Sequence, residues 1–351
     1  MIKYIGSKRL LLPHILAAVR ALSNVKRVVD LFSGTARVGR ALKEAGFDVV
    51  ANDHLRYSAT LARCYVEADP EEVTQPAQAL LKELSALPGR EGYFTKTFCQ
   101  DARYFQPHNG MRIDAMRDAI AAKDLSPTVE AVVLTALMEA ADRVDNTTGV
   151  QMAYLKQWAR RSYNNLELRM PALVRGGSGR ATELEALVAG QELDADVAYL
   201  DPPYNQHSYL GNYHVWETLV RWDAPEVYGV ACKRIDCRER KSDFNSKRKI
   251  RDAFSQLVQA VRAPQLIVSF NDEGFLQRDE VVEVLKVRGH VGIAEIPYGR
   301  YVGAKIGIHN PKGQKVGTVS HTKNHELLYV VSEDEAAVTR ACDAVRALVA
   351  S

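Results

Sequence analysis

Residues 27–53 restrict the fold more than any other stretch. Arg27-Val28-Val29-Asp30-Leu31-Phe32 is a short β-rich run, Ser33-Gly34-Thr35-Ala36-Arg37-Val38-Gly39 reads as a turn, and Arg40–Gly46 reads as a helix closed by glycine. A second strand, Asp48-Val49-Val50-Ala51-Asn52-Asp53, follows. Strand, glycine turn, helix, strand is the start of a nucleotide-binding βαβ unit and implies an α/β chain with a mainly parallel sheet. Gly34 lets backbone approach a ligand, and Gly39 lets the helix pack closely on the strand. The turn lacks the Lys-Ser/Thr of a phosphate-binding loop and the full Gly-x-Gly-x-x-Gly of a dinucleotide site. Asp30, at the strand end, would repel a pyrophosphate and attract an ammonium group, which favours a cofactor bearing an amino acid. Asp53 lies 23 positions later, where such folds place an acidic residue on ribose hydroxyls. A third run, Phe94-Thr95-Lys96-Thr97-Phe98-Cys99-Gln100-Asp101, reads as another strand ending in aspartate.

Val197-Ala198-Tyr199-Leu200-Asp201-Pro202-Pro203-Tyr204 reads as a strand covered on both faces and stopped by two prolines. It fixes Asp201 and Tyr204 at a strand's carboxyl end, where open α/β sheets bind ligands. Further strands are expected at Leu266–Phe270 and Glu326–Val331, and helices at about 278–288 and 334–349. At the N-terminus, Leu11, Leu12, Ile15, Leu16 and Val19 have helical spacing, with Ser7 a candidate cap. Asn271-Asp272-Glu273-Gly274 reads as a turn at a strand end.

Together, Lys3-Tyr4-Ile5-Gly6-Ser7-Lys8, Asp30-Leu31-Phe32-Ser33-Gly34, Asp53, Asp101 and Asp201-Pro202-Pro203-Tyr204 resemble the ordered motifs of the Dam-like, alpha-group adenine-specific (N6) DNA methyltransferases. The resemblance covers most of the chain outside about 105–190. It implies a Rossmann-like sheet of about seven strands and S-adenosyl-L-methionine as cofactor. The cofactor would be held by Lys3, Tyr4, Gly6, Lys8, Asp30, Phe32, Ser33, Gly34, Asp53 and Asp101. Asp201, Pro202, Pro203 and Tyr204 would act on a flipped-out adenine. It implies a catalytic domain of residues 1–104 and 191–351 and an inserted, mainly helical target-recognition region of 105–190. Ser33 stands where many relatives have a second glycine, which loosens the assignment of individual backbone contacts. RNA or protein amino-group methylation by the same fold is an alternative, as is a catalytically silent DNA-binding or cofactor-sensing protein. Asn-Pro-Pro-Tyr would suit protein glutamine and Ser-Pro-Pro-Tyr cytosine N4; this chain has Asp201.

The net charge, +3 over 351 residues, neither demands nor excludes a nucleic-acid partner, so charge distribution matters more. Val129–Ala141 reads as an apolar helix and Asp145–Gly149 as a loop. Tyr154–Asn165 interleaves bases, aromatics and amides, and Lys156, Trp158, Arg160 and Arg161 are its candidate double-stranded DNA contacts. Arg175-Gly176-Gly177-Ser178-Gly179-Arg180 reads as a flexible connector. Lys233–Arg251 sets nine basic residues against three acidic ones. Within a DNA-contacting segment 228–262, Lys241, Asn245, Lys247 and Arg248 are the candidates, and Phe244-Asn245 could pack on the target nucleotide. Five scattered cysteines without C-x-x-C spacing point to a reducing cytoplasm. No metal site is expected, since His321 and His325 lack a third ligand. No stretch of about 20 apolar residues exists, so no membrane span is expected. The expected working form is a monomer on DNA, with a cognate restriction endonuclease as a candidate partner.

Overall fold

The computed structural model describes residues 1–271, 274–299, 308–309, 315–317 and 323–350. Seven strands form the central sheet: β1 (Arg27–Asp30), β2 (Asp48–Asn52), β3 (Gly179–Thr182), β4 (Val197–Leu200), β5 (Gln265–Asn271), β6 (His290–Gly299) and β7 (Lys323–Ser332). Their order across the sheet is β3-β2-β1-β4-β5-β7-β6. The first five run parallel, and β7 pairs antiparallel with both β5 and β6.

Strand alternation builds two cores. Val28, Val197, Tyr199, Ile267, Leu328 and Val330 join one apolar cluster, with residues of the helices Leu12–Ala21, Pro127–Val144 and Glu335–Ala350. Val29, Ala198, Leu200, Leu266, Val268 and Phe270 join the other, with the helices Ala186–Glu192, Ile250–Ala260 and Arg278–Leu285. Adjacent residues on one strand therefore serve opposite layers, as pleating requires. Both faces are covered, which is why β4 reads as an unbroken apolar run.

Chain order reverses at β1. From β1 the chain moves out to β2 and β3, then returns to β4 on β1's other side. The carboxyl ends of β1 and β4 flank the resulting crevice. Register sets Asp30 opposite Tyr199, so Asp201 emerges two residues beyond Asp30's partner.

The third parallel strand is not where the sequence placed it. Phe94–Asp101 is helical: an α-turn Tyr93–Thr95 runs into a π-turn Lys96–Asp101. Phe94, Thr95, Phe98 and Cys99 are buried at helical spacing. The Asp114 carboxylate accepts the Gly92, Phe94 and Thr95 N–H groups and the Thr95 hydroxyl, which starts the helix. Helical period plus a strong cap outweighed β-propensity.

The actual β3 begins in the segment read as a flexible connector, runs two residues past it, and lies inside the region 105–190. Between β2 and β3 the chain makes a helical excursion that includes Arg56–Ala62, Pro70–Ala86, Pro107–Ala121 and Pro127–Val144. The Gly176–Gly179 run is tightly packed. A Cβ on Gly176 would come within 1.9 Å of the Lys43 carbonyl oxygen, one on Gly177 within 1.9 Å of that of Phe47, and one on Gly179 within 1.8 Å of that of Val66. The glycines are there because three backbones cross. Gly179→Ala should therefore destabilise the protein by about 2–3 kcal/mol, as overpacking does. Urea unfolding checks this, and unchanged stability would rule the crossing out as the reason for glycine.

Four of the expected helices are present. Helices form at Leu12–Ala21, Pro127–Val144, Arg278–Leu285 and Glu335–Ala350. Ser7 precedes the 3-10 turn Lys8–Leu10 but makes no side-chain capping bond. Asn271 and Gly274 are joined by a turn hydrogen bond of 3.3 Å; Asp272 and Glu273 lie outside the described residues. His321 does too, and His325 pairs with Glu295 at 3.5 Å. Among the described residues no group of acidic, histidine or cysteine side chains could hold a metal, and no helix is long and apolar enough to cross a membrane. All five cysteines are free.

Candidate active site

A cleft opens at the β1/β4 crevice. The N-terminal segment contributes Tyr4, Gly6, Ser7 and Lys8 to its wall; the first turn adds Asp30, Phe32, Ser33, Gly34, Thr35, Arg37 and Val38. The end of β2 adds Asp53, His54 and Leu55, and the β4 side adds Tyr199, Asp201, Pro203 and Tyr209. Gly34 has φ +53°, a left-handed conformation that favours glycine, and a Cβ there would lie 3.2 Å from the Tyr4 ring. Tyr4 itself is stacked near-parallel with Tyr209 and Tyr213, at centroid distances of 5.2 and 4.7 Å. Tyr213 also accepts the Ile5 N–H at 2.6 Å, which fixes the N-terminal segment over the glycine turn.

Asp30 is 1% exposed. Its Oδ2 accepts the Gly39 N–H at 3.1 Å, while Oδ1 is buried with no hydrogen-bond partner. The buried hydroxyl of neighbouring Ser33 has none either. Burial pushes the Asp30 carboxyl up to about 7, and the Asp201 charge adds to the shift. Asp53 places Oδ2 on the Gly34 N–H at 2.9 Å and Oδ1 on the Leu55 N–H at 3.0 Å. Burial raises its carboxyl as well, against the opposing pull of His54.

Asp201 leaves β4 with 17% of its side chain exposed. The Lys8 ammonium stands 3.0 Å from its Oδ1 and 2.7 Å from Glu326 Oε1. Burial lifts the Asp201 carboxyl to about 6; Lys8 opposes the shift and Glu326 reinforces it. Burial would lower the Lys8 ammonium, but Asp201 and Glu326 together hold it well above its ordinary value, so it stays charged. Tyr204 lies just outside the cleft wall. Its ring packs on Phe270 at 5.8 Å, Lys8 Nζ lies 5.9 Å from its centroid, and its hydroxyl accepts from Asn271 Nδ2 at 2.8 Å.

Several expected contacts lie elsewhere. Lys3 does not reach the cleft: its ammonium donates to the Asp142 carbonyl at 2.5 Å and to Asp145 Oδ1 at 2.8 Å. Asp101 is exposed at the end of a largely buried helical turn and is not part of the cleft wall. Arg161 is committed to Asp145 Oδ1 at 2.7 Å, and Arg103 stacks over Trp158 at 4.9 Å. Lys156 and Arg160 are exposed.

In the basic run, Arg234 is buried between Asp223 and Asp236, Arg240 leans on Glu217, and Lys249 pairs with Asp243. Lys241, Lys247 and Arg248 are exposed. Phe244 packs edge-on against Phe32 at 5.5 Å, and the Asn245 amide donates to the Asn205 and His207 carbonyls at 2.7 and 3.1 Å. Asn245 therefore holds the loop after Tyr204, and Phe244 the turn after β1. Sequence reasoning missed Arg37, His54, Tyr199, Tyr209 and Glu326. For Glu326 a signal existed, since a carboxylate opening an otherwise apolar strand must find a partner.

A mostly parallel seven-stranded sheet with a cleft at its chain reversal, entered by an acidic strand end and a proline-stopped strand, is a Rossmann-like methyltransferase arrangement. Residues 4–273 match the D12 class N6 adenine-specific DNA methyltransferase family, and the chain belongs to it. It is 32% identical over 325 residues to Modification methylase StsI of Streptococcus sanguinis, covering 87% of this chain and 49% of that one. It is 30% identical over 326 residues to Type II methyltransferase M.FokI of Planomicrobium okeanokoites, covering 85% and 49%. With Type II methyltransferase M.NlaIII of Neisseria lactamica it shares 30% over 302 residues, covering 83% and 89%. The chain thus spans about half the length of the first two relatives.

Proposed function

We propose that the chain transfers a methyl group from S-adenosylmethionine to N6 of an adenine flipped out of duplex DNA, as the modification activity of a restriction-modification system. The observation that carries this is the meeting of Asp30 and Asp201 in one cleft, with the proline turn fixing the second. The residues suit the cofactor: Asp30 Oδ1, buried and unpartnered, would take its ammonium, and Asp53 its ribose. When bound, the cofactor supplies a methyl on a sulfonium, an already activated group.

The chain's own part is to prepare the amine. Adenine's exocyclic nitrogen is a poor nucleophile because its lone pair is delocalised into the ring. The Asp201 carboxylate and the Pro202 carbonyl would accept its two N–H groups, drawing the nitrogen toward tetrahedral geometry. Asp201 then stabilises the positive charge that develops there. Flipping the base costs a few kcal/mol. The Tyr204 ring would offset part of that by stacking, worth about 1–3 kcal/mol.

Region 105–190, apart from β3, is the proposed target-recognition part, with Lys156, Trp158 and Arg160 at its surface. Lys241, Lys247 and Arg248 are the proposed phosphate contacts. Replacing Lys247 and Arg248 by alanine should flatten the plot of log affinity against log salt by about 2, close to one counterion per phosphate. An unchanged slope removes both from the interface. The direct test of function measures tritiated methyl transfer to DNA, RNA and protein, followed by modified-base analysis. N6-methyladenine in DNA is expected; label confined to RNA or protein, or no transfer at all, overturns the reading. The working form is proposed to be a monomer in a reducing cytoplasm.

A further inference from the structure

Three ionisable side chains from distant parts of the chain meet behind the cleft. Lys8, 7% exposed, opens the turn Lys8–Leu10; Glu326, 4% exposed, lies on β7; Asp201 follows β4. Glu326 Oε1 accepts from Lys8 at 2.7 Å and from the buried Ser269 hydroxyl at 2.5 Å. The sheet makes this possible: β5 lies between β4 and β7, with Val268 opposite Leu200 and Asn271 opposite Glu326.

Packing alone does not account for Glu326. Residues 327–331 are buried and apolar, and exchanging a buried ion pair for apolar side chains is often neutral or stabilising. What Glu326 changes is the charge around Asp201. A lysine paired with Asp201 alone would neutralise it. Two carboxylates sharing one ammonium leave a net negative charge, and the shorter contact goes to Glu326. Lys8 holds Asp201 by Oδ1, so Oδ2 is the oxygen left to face an incoming amine.

We propose that Glu326 is a positioning residue for the transfer: acting through Lys8, it orients Asp201 and keeps the ammonium from neutralising the site that faces the amine. This rests on the methyl-transfer reading above. The other groups facing Asp201 are Asp30 at the end of β1, Tyr199 on β4, Tyr204, and Tyr209 on the following helix. Burial raises Tyr199 and Tyr209, so both stay neutral where Asp201 titrates. Burial and the Glu326 charge thus resist Asp201's ionisation, and Lys8 favours it.

Glu326→Gln keeps an acceptor for Lys8 and Ser269 but removes the charge. Lys8 then attends to Asp201 alone. Asp201 ionises at lower pH and is a weaker partner for a developing cation. Single-turnover transfer to duplex DNA should fall about tenfold, with KM for DNA and cofactor affinity held within about twofold. The acid limb of the rate profile should move down by about two pH units, the size of one charge within about 6 Å at an effective dielectric near 20. A purely structural role would lower the amount of folded protein and leave that limb in place.

Glu326→Asp, which keeps the charge on a shorter arm, should lose rate yet retain the wild-type acid limb. It also tests the idea if the glutamine variant does not fold. Wild-type rate and limb in folded Glu326→Gln, or full rate in Glu326→Asp, overturns the inference alone. Absence of adenine methylation by the wild-type protein in the same assay overturns the reading beneath it.

Discussion

Asp201→Ala abolishes methyl transfer, with a loss of at least about 100-fold expected from removing a charge aimed at the reacting centre. Binding of the cofactor survives, because the ammonium site belongs to Asp30 on the other side of the crevice. The variant should also move the pH dependence of that binding. Asp30 must be ionised to hold an ammonium, so affinity rises with pH through its pKa, about 7 in the intact site. The Asp201 charge contributes to that elevation. Without it Asp30 ionises more easily, and the midpoint of cofactor binding shifts to lower pH. Calorimetric titration of wild type and variant between about pH 5.5 and 8.5 reads both effects. Near-normal turnover in Asp201→Ala would remove Asp201 from the chemistry. A midpoint that stays put would show that the two carboxylates do not sense each other.

Asp30→Asn produces the opposite division. Loss of a buried charge that faces a cation lowers cofactor affinity by at least about 30-fold, given about 2–5 kcal/mol for such pairs. The unliganded protein, however, becomes more stable at pH 8. The folded pKa of Asp30 is raised from 3.8 to about 7. The native state therefore binds this proton more tightly than the unfolded chain does. Stability declines as pH rises through that window, and the full penalty persists above it. At 1.36 kcal/mol per unit, the penalty is up to about 4 kcal/mol, and asparagine does not incur it. Asparagine's carbonyl still accepts the Gly39 N–H. Thermal melts at pH 5 and pH 8 should show the variant's advantage over wild type widening between the two by about 2–3 kcal/mol. Adding cofactor should stabilise the wild type alone. A variant less stable than wild type at pH 8 would contradict the buried-charge account.

How far the sequence revealed this site depended on how local each feature was. Asp30 and Asp201 were legible because a glycine turn or a proline pair stops the strand immediately beyond them, and the stop lies within four residues. The two-sided burial of β4 was legible from its unbroken apolar run. Asp101 was misplaced because Phe94–Cys99 carries both β-formers and a helical repeat. The deciding cap, Asp114, lies well downstream. The third strand was hidden because its glycines look like a linker until the crossing backbones of Phe47 and Val66 are seen beside them. In the basic run, residue type could not distinguish Arg234, locked between two aspartates, from the exposed Lys247 and Arg248. Glu326 was the least legible, because its meaning lies in a partner 318 positions away.

That separation has a consequence for the order of events during synthesis. Lys8 leaves the ribosome 318 residues ahead of its second carboxylate, which arrives only with β7. At about 5–20 residues per second, tens of seconds separate the two. Until then a buried lysine has no complete set of partners, and β5 lacks the neighbour that covers its far edge. A nascent chain that already carries the glycine turn, Asp30 and the proline-stopped strand is therefore still an unfinished enzyme. On the proposed reading, activity would wait until the strand holding Glu326 is in place.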